Sequence, residues 1–169
     1  MAIQLTSANS NGLPPFGAAG AFGVGESPAS RPRLGELLVR KRLIDESQLA
    51  WALEEARAKK EMLGVVLLRE RMIFEDELAR TLSDQLSVPY INILQIGVDP
   101  TVVRLLPPEV GHAAAAIPIR MDGNAVQVGF GDPTDEQALT AVAEHLPRIS
   151  IAVAELSEIR RAWQSFSGR

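Results

Sequence analysis

The chain of 169 residues carries a net charge of −4, which argues against a general nucleic-acid binder, because such a protein usually needs a basic excess. It has no cysteine, so a disulfide framework and a thiolate metal site are excluded, and its two histidines, His112 and His145, have no partner at metal-ligand spacing. Hydrophobic residues make up 46%, enough for the core of one domain or two small ones, yet no apolar run approaches the ~18–20 residues that span a bilayer, and the N-terminus lacks the pattern of a signal peptide.

Residues 1–31 are a Gly/Ala/Ser/Pro-rich mixture without a period, read as a disordered tail, with Phe16 and Phe22 as its only candidate docking points. Leu34, Leu37 and Leu38 have i, i+3, i+4 spacing and predict a short helix. Asp45 and Gln48 form a capping-box pair, opening a helix to about Lys60 that is expected to bury Leu49, Ala52, Leu53 and Ala56 and to leave Trp51 off the stripe. From Leu63 the same unit is written again. Leu34-Gly35 falls on Leu63-Gly64, Leu38 on Leu67, Arg42 on Arg71, Ile44 on Ile73, Leu49 on Leu78 and Leu53 on Leu82, with no gap. A fixed period of this kind marks a supersecondary unit that must pack on its copy to bury its apolar face.

The second long helix starts near Glu75, with Glu75, Asp76 and Glu77 suited to the positive end of the helix dipole; Phe74 stands where Asp45 stood and cannot cap. Leu78, Leu82 and Leu86 form its inward stripe, and Pro89 stops it. Tyr90 to Ile96 reads as an extended connector. Asp99-Pro100 opens a helix to about Leu106, broken by Pro107-Pro108, with a further turn over residues 109–113.

The remainder changes character. Ala116–Arg120 and Ala125–Phe130 are β-type runs joined by Met121-Asp122-Gly123-Asn124, a hairpin signal. Asp132 or Thr134 is expected to cap a helix over residues 135–146, ended by Pro147; a third strand follows at residues 148–154 and an amphipathic helix at 157–166. The fold class expected is α+β: a tandem helical repeat of about four helices over residues 32–89, then a small α+β subdomain with a three-stranded sheet over residues 90–169.

Leu34-Gly35-Glu36-Leu37-Leu38-Val39, Leu43-Ile44 and Gln48-Leu49, repeated from Leu63-Gly64, followed by Val88-Pro89-Tyr90, Leu105-Leu106-Pro107, Ile117-Pro118 and the run from Val128 to Asp135, resemble the N-terminal domain of the type II secretion and type IV pilus traffic ATPases, the GspE, PilB and MshE type. The resemblance spans roughly residues 33–162. It implies that the chain binds cyclic di-GMP across the doubled motif, or that it docks a secretion or pilus ATPase on an inner-membrane platform protein. The chain has no Gly-x-x-x-x-Gly-Lys-Ser/Thr loop, so it is expected to be a free-standing, cytoplasmic, non-catalytic module with no cofactor, no DNA or RNA partner and no membrane span.

A cyclic dinucleotide presents two phosphates and two flat purines, so its site needs cations or N–H groups and apolar floors. In the first copy, Arg33 supplies a guanidinium beside a helix N-terminus, Leu34 and Gly35 follow it, Gly35 lets a ligand approach the backbone, and Leu38, Leu49 and Leu53 form a floor. The second copy contributes Leu63, Gly64, Leu67, Leu78, Leu82 and Gln85. The alternative is that Arg33 is a solvated flank and the leucines are only core.

Against the ligand-binding pattern of the family, Met62 replaces a basic residue, Ala56 replaces a glutamine, and Arg42 and Arg71 replace the glycines that end each short helix. A left-handed arginine there costs roughly 1–2 kcal/mol. Either the turns have changed, or Arg42 and Arg71 meet phosphates or an acidic partner. Asp132 is implied by the resemblance as an acceptor for a guanine edge, with an N-cap as its other role. The departures favour a second reading, a protein–protein interaction adaptor of a secretion or pilus system that binds no nucleotide.

Overall fold

The structure is a computed structural model that describes residues 32–167. The expectations for residues 1–31, Phe16 and Phe22 included, lie outside the described residues.

The doubled motif folds into four helices, α1 (Leu34–Arg40), α2 (Glu46–Lys59), α3 (Leu63–Arg69) and α4 (Glu75–Leu86). The Asp45–Gln48 box forms as expected, with the Gln48 N–H donating to Asp45 Oδ1 at 2.8 Å and the Asp45 N–H donating to Gln48 Oε1 at 2.9 Å. At α4 only half the box exists. Phe74 offers no acceptor, but Glu77 reaches back to its N–H at 2.8 Å.

Short and long helices pair across the copies, α1 against α4 and α3 against α2. This crossed pairing buries Leu38, Ile44, Ala52, Ala56, Val66, Leu67 and Ile73 in one cluster. Each large aliphatic side chain removed from water there contributes about 1.5–3 kcal/mol. Leu53 is not in that cluster. It is 41% exposed: it flanks the stripe of Leu49, Ala52 and Ala56 at an edge of α2 that no other element covers, whereas Trp51 lies off the stripe altogether.

Beyond Ser87, in the left-handed region at φ 55°, the chain makes three short helices, α5 (Ile93–Ile96), α6 (Pro100–Val103) and α7 (Pro108–Ala113). The connector expected to be extended thus contains α5, capped by the Asn92 side chain, which accepts the Gln95 N–H at 2.9 Å. α6 starts at Asp99-Pro100 as read from the sequence but ends at Val103 rather than about Leu106.

The sheet consists of β1 (Ala116–Asp122), β2 (Ala125–Phe130) and β3 (Ile149–Val153), in the order β1-β2-β3. β1 and β2 form an antiparallel hairpin closed by Gly123-Asn124, with Gly123 at φ 60°. Pro118 has no N–H to donate, and the register slips between Pro118 and Arg120, as an edge strand permits. α8 (Glu136–His145) crosses over to β3, parallel to β2. Its cap is Asp135, whose Oδ1 accepts the N–H groups of Gln137 at 2.9 Å and Ala138 at 3.2 Å, and not Asp132 or Thr134.

α9 (Leu156–Ser167) closes the core through Trp163, which stacks so near Gly111 that a Cβ there would lie 2.2 Å from its ring. A third cluster joins the two halves. Ala79 and Leu82 of α4, Val88 and Val153 are buried together, with Leu34, Leu78, Tyr90 and Ile151 packed on them.

Candidate ligand-binding surface

The structure brings the two copies of the motif together, but the space between them is filled by the protein's own side chains. Leu38 and Leu67 have no exposed surface and Leu82 retains 2%, so these three lie beneath the surface. Leu34, Leu49, Leu63 and Leu78 are half-buried around them, and Leu53 is exposed.

The glycines are explained by packing. A Cβ on Gly35 would meet Leu49 Cδ1 at 2.5 Å, and one on Gly64 would meet Leu78 Cδ2 at 3.2 Å. The space expected for a ligand over Gly35 is taken by Leu49. The missing side chain lets each long helix lay its leucine against the start of the short helix of the same copy.

Arg33 precedes α1 and is exposed; its N–H donates to Glu36 Oε2 at 3.2 Å. Part of the anion-attracting N-terminus of α1 is therefore already met by a carboxylate of the chain itself. Gln85 is half-buried and its Nε2 donates to the Pro32 carbonyl at 3.1 Å, pinning the chain where it enters α1. Lys41, paired with Asp84, ties the other end of α1 to α4.

Arg42 and Arg71 settle how the short helices end. Both are left-handed, at φ 59° and 55°. The Leu43 N–H reaches the Leu38 carbonyl at 3.0 Å while Arg42 N–H reaches Val39 at 2.9 Å, and Met72 and Arg71 repeat this toward Leu67 and Leu68 at 2.9 and 3.1 Å. These are the paired bonds of a Schellman turn, which favours glycine at the left-handed position. The turns have not changed; two arginines occupy them under strain of about 1–2 kcal/mol each. Arg33, Arg42 and Arg71 make no ion pair among the described residues. Arg42 lines a shallow hollow with Val39, Leu43, Ile44, Asp45, Glu46 and Gln48, where two carboxylates temper its charge.

Asp132 lies in the turn between β2 and α8, where its Oδ1 accepts the Thr134 N–H at 2.9 Å and the Thr134 hydroxyl. It shapes a turn and is not a helix cap. Among the described residues no group of three His, Cys, Asp or Glu side chains converges as a metal site would require, and no helix is long and apolar enough to cross a membrane.

Sequence reasoning missed the junction between the halves. Tyr90 donates its hydroxyl to Glu155 Oε1 at 2.6 Å, and the Arg80 guanidinium sits 4.4 Å from the centre of its ring. Burial, then the Glu155 bond, pushes the Tyr90 hydroxyl up to about 12, so it remains a donor at any physiological pH. Glu158, itself buried, accepts the Ile93 N–H at 2.8 Å, and burial raises its pKa above the ordinary carboxylate value. The Val88-Pro89-Tyr90 run was the one visible signal of this junction; partners 65 residues away in sequence have no local signature.

Residues 86–169 match the MshEN domain. A type IV pilus assembly ATPase, PilB of Myxococcus xanthus (strain DK1622), is 37% identical over 103 residues, covering 61% of this chain but only 18% of PilB. The solved structure of MshE with cdg superposes with a TM-score of 0.72 at 29% identity, covering 80% of this chain and 99% of that one. That share extends well beyond residues 86–169, so the likeness takes in helices of the doubled motif. The N-terminal domain of XpsE has the same fold, with a TM-score of 0.68 at 21% identity over 84% of this chain and 97% of that one. The crossed helical repeats, the small sheet behind them and these matches together give the chain the fold of the N-terminal domain of the secretion and pilus ATPases, with residues 86–169 matching the MshEN domain.

Proposed function

We propose that the chain is a non-catalytic, cytoplasmic regulatory module that binds cyclic di-GMP across its doubled motif and passes that state to a secretion or pilus ATPase or to an inner-membrane platform protein. The observation that carries the reading is the likeness to MshE, whose solved structure contains the dinucleotide, over a chain that keeps both copies of the motif. In this reading residues 32–89 and 90–169 act as one unit. The apolar floor is formed by Leu34, Leu49, Leu53, Leu63 and Leu78, supported from beneath by Leu38, Leu67 and Leu82. Gly35 and Gly64 allow Leu49 and Leu78 to lie close to the short helices. Arg33, Arg42 and Arg71 supply exposed cations for the two phosphates, and Gln85 and Asp132 supply polar edges for the bases.

The test is titration of the purified chain with cyclic di-GMP, followed by heat and by thermal shift. Saturable binding supports the reading, and Arg33→Ala should weaken it by about 1.5–3 kcal/mol, the scale of a charged hydrogen bond. Absence of heat and of any shift at high micromolar ligand rejects it.

A second reading is favoured by one observation. The junction is closed by the chain's own side chains, and the Gln85 amide is already bonded to Pro32. An adaptor that docks on a PilB-type ATPase or a platform protein without nucleotide has this property. Binding to such a partner that is unchanged by added cyclic di-GMP supports the adaptor over the sensor.

A further inference from the structure

We propose that α4 is the transmission element of the molecule, carrying the state of the doubled motif to β3 and α9 through an Arg80–Tyr90–Glu155 relay and a Glu75 contact on the start of α9. The proposal rests on the cyclic di-GMP reading for the signal that is carried. The relay itself can be tested without ligand.

One helix faces two ways. Leu78 and Gln85 of α4 belong to the doubled motif, and Gln85 also holds the entry to α1. On its other side α4 is joined to the sheet half by contacts of three kinds. Glu75 Oε2 accepts the Ser157 N–H at 2.9 Å, one of the N–H groups that the first turn of α9 cannot satisfy within the helix. Arg80 stacks on Tyr90 at 4.4 Å, and Tyr90 bonds Glu155, the residue before α9. Ala79 and Leu82 pack with Val153. Residues 89–91 extend the sheet beside β3. The Val153 N–H reaches the Pro89 carbonyl and the Ile91 N–H reaches the Val153 carbonyl, both at 2.8 Å.

These contacts act together because they share rigid parts. Arg80, also near Asp76 at 4.0 Å, is fixed to α4; Tyr90 is fixed to the strand segment; Glu155 is fixed between β3 and α9. Polar contacts have a narrow distance range, so a shift of α4 by about 1 Å either drags the start of α9 or breaks the Glu75 and Arg80 contacts. A ligand that seats α4 differently thereby sets the position of α9. Coupling of this kind is reciprocal, so a partner that grips α9 alters ligand affinity by the same factor.

The experiment is hydrogen exchange by mass spectrometry on the full chain, comparing the natural protein with the Arg80→Ala/Tyr90→Phe pair and, separately, with Glu75→Ala. Without ligand, the proposal expects exchange over residues 149–160 to rise about 2- to 10-fold, the effect of a lost hydrogen bond, with residues 34–69 unchanged. Unchanged exchange over 149–160 in both variants overturns it. With saturating cyclic di-GMP, the natural protein should gain protection over 33–85 and over 149–160, and the paired variant over 33–85 alone. Protection confined to 33–85 in the natural protein, or retained over 149–160 in the variant, overturns the relay and leaves ligand binding standing. Absence of protection everywhere rejects the ligand reading, and the relay is then decided by the ligand-free arm.

Discussion

The two copies of the motif place equivalent residues in unequal surroundings. Leu53 of α2 and its counterpart Leu82 of α4 occupy the same place in the pattern, yet one is 41% exposed and the other 2%. The difference comes from neighbours and not from the helices. α2 packs within the repeat, whereas α4 is also packed on its far side by β3 and Val88. A repeated sequence thus yields a pseudo-symmetric pair of which only one member is embedded in the rest of the fold. The other keeps an apolar face open.

The largest expected break in that symmetry is in stability. Leu82→Ala should destabilise the chain by about 2–5 kcal/mol in urea unfolding, the cost of a buried leucine and its cavity. Leu53→Ala should cost under about 1 kcal/mol, as surface truncations do. Equal losses would mean that Leu53 is covered in solution.

The two strained turns offer a smaller gain. Arg42→Gly and Arg71→Gly each relieve a left-handed side chain. Since glycine also raises the entropy of the unfolded chain, the net stabilisation should be about 0.5–1 kcal/mol per site. The same variants should weaken cyclic di-GMP binding if the arginines meet its phosphates. A gain in stability with no loss of affinity would remove both from the site.

The helix starts supply a third comparison. Phe74 is 73% exposed and leaves α4 without a side-chain cap, while Glu77 already completes the other half of the box. Phe74→Asp should therefore stabilise the protein by about 0.5–1 kcal/mol, measured as a rise in Tm. No gain would show that the phenyl ring is engaged elsewhere.

The smallest effect is a pH dependence confined to the first copy. The Ser47 hydroxyl, then the Gln48 N–H, hold the Asp45 carboxyl below its ordinary value. A depressed folded pKa gives stability that is present above the unfolded value and lost as pH falls through the folded one. The stability advantage of the natural protein over Asp45→Asn should accordingly shrink as pH drops below about 4. An advantage that persists or grows there would contradict the cap.

Much of the helical half was legible because its signals are local. The doubled Leu-Gly motif, the Asp45–Gln48 box and Asp99-Pro100 each fix a boundary through neighbours in sequence. The hairpin at Gly123 was legible for the same reason. What escaped depends on tertiary partners. The exposure of Leu53 follows from which neighbours α2 lacks. α5 rests on a single Asn92 cap and one turn, too short for a period to show. The sequence offers Gly35 as room for a ligand, whereas Leu49 of the neighbouring helix α2 fills it. Asp132 and Asp135 lie three residues apart with the same chemistry, and only the backbone path selects Asp135 as the cap. The Tyr90 junction joins residues whose separation no sequence window spans.

The central claim is that the doubled motif, and no reactive group, is what this molecule offers a ligand. Backbone amide chemical shifts, followed by NMR while cyclic di-GMP is added, test it most directly. The account predicts saturable shifts in both copies, clustered at Arg33–Leu38, Leu49–Leu53, Leu63-Gly64 and Leu78–Gln85, with smaller ones following at the start of α9. Shifts restricted to one copy, shifts only outside these segments, or none at millimolar ligand would contradict it.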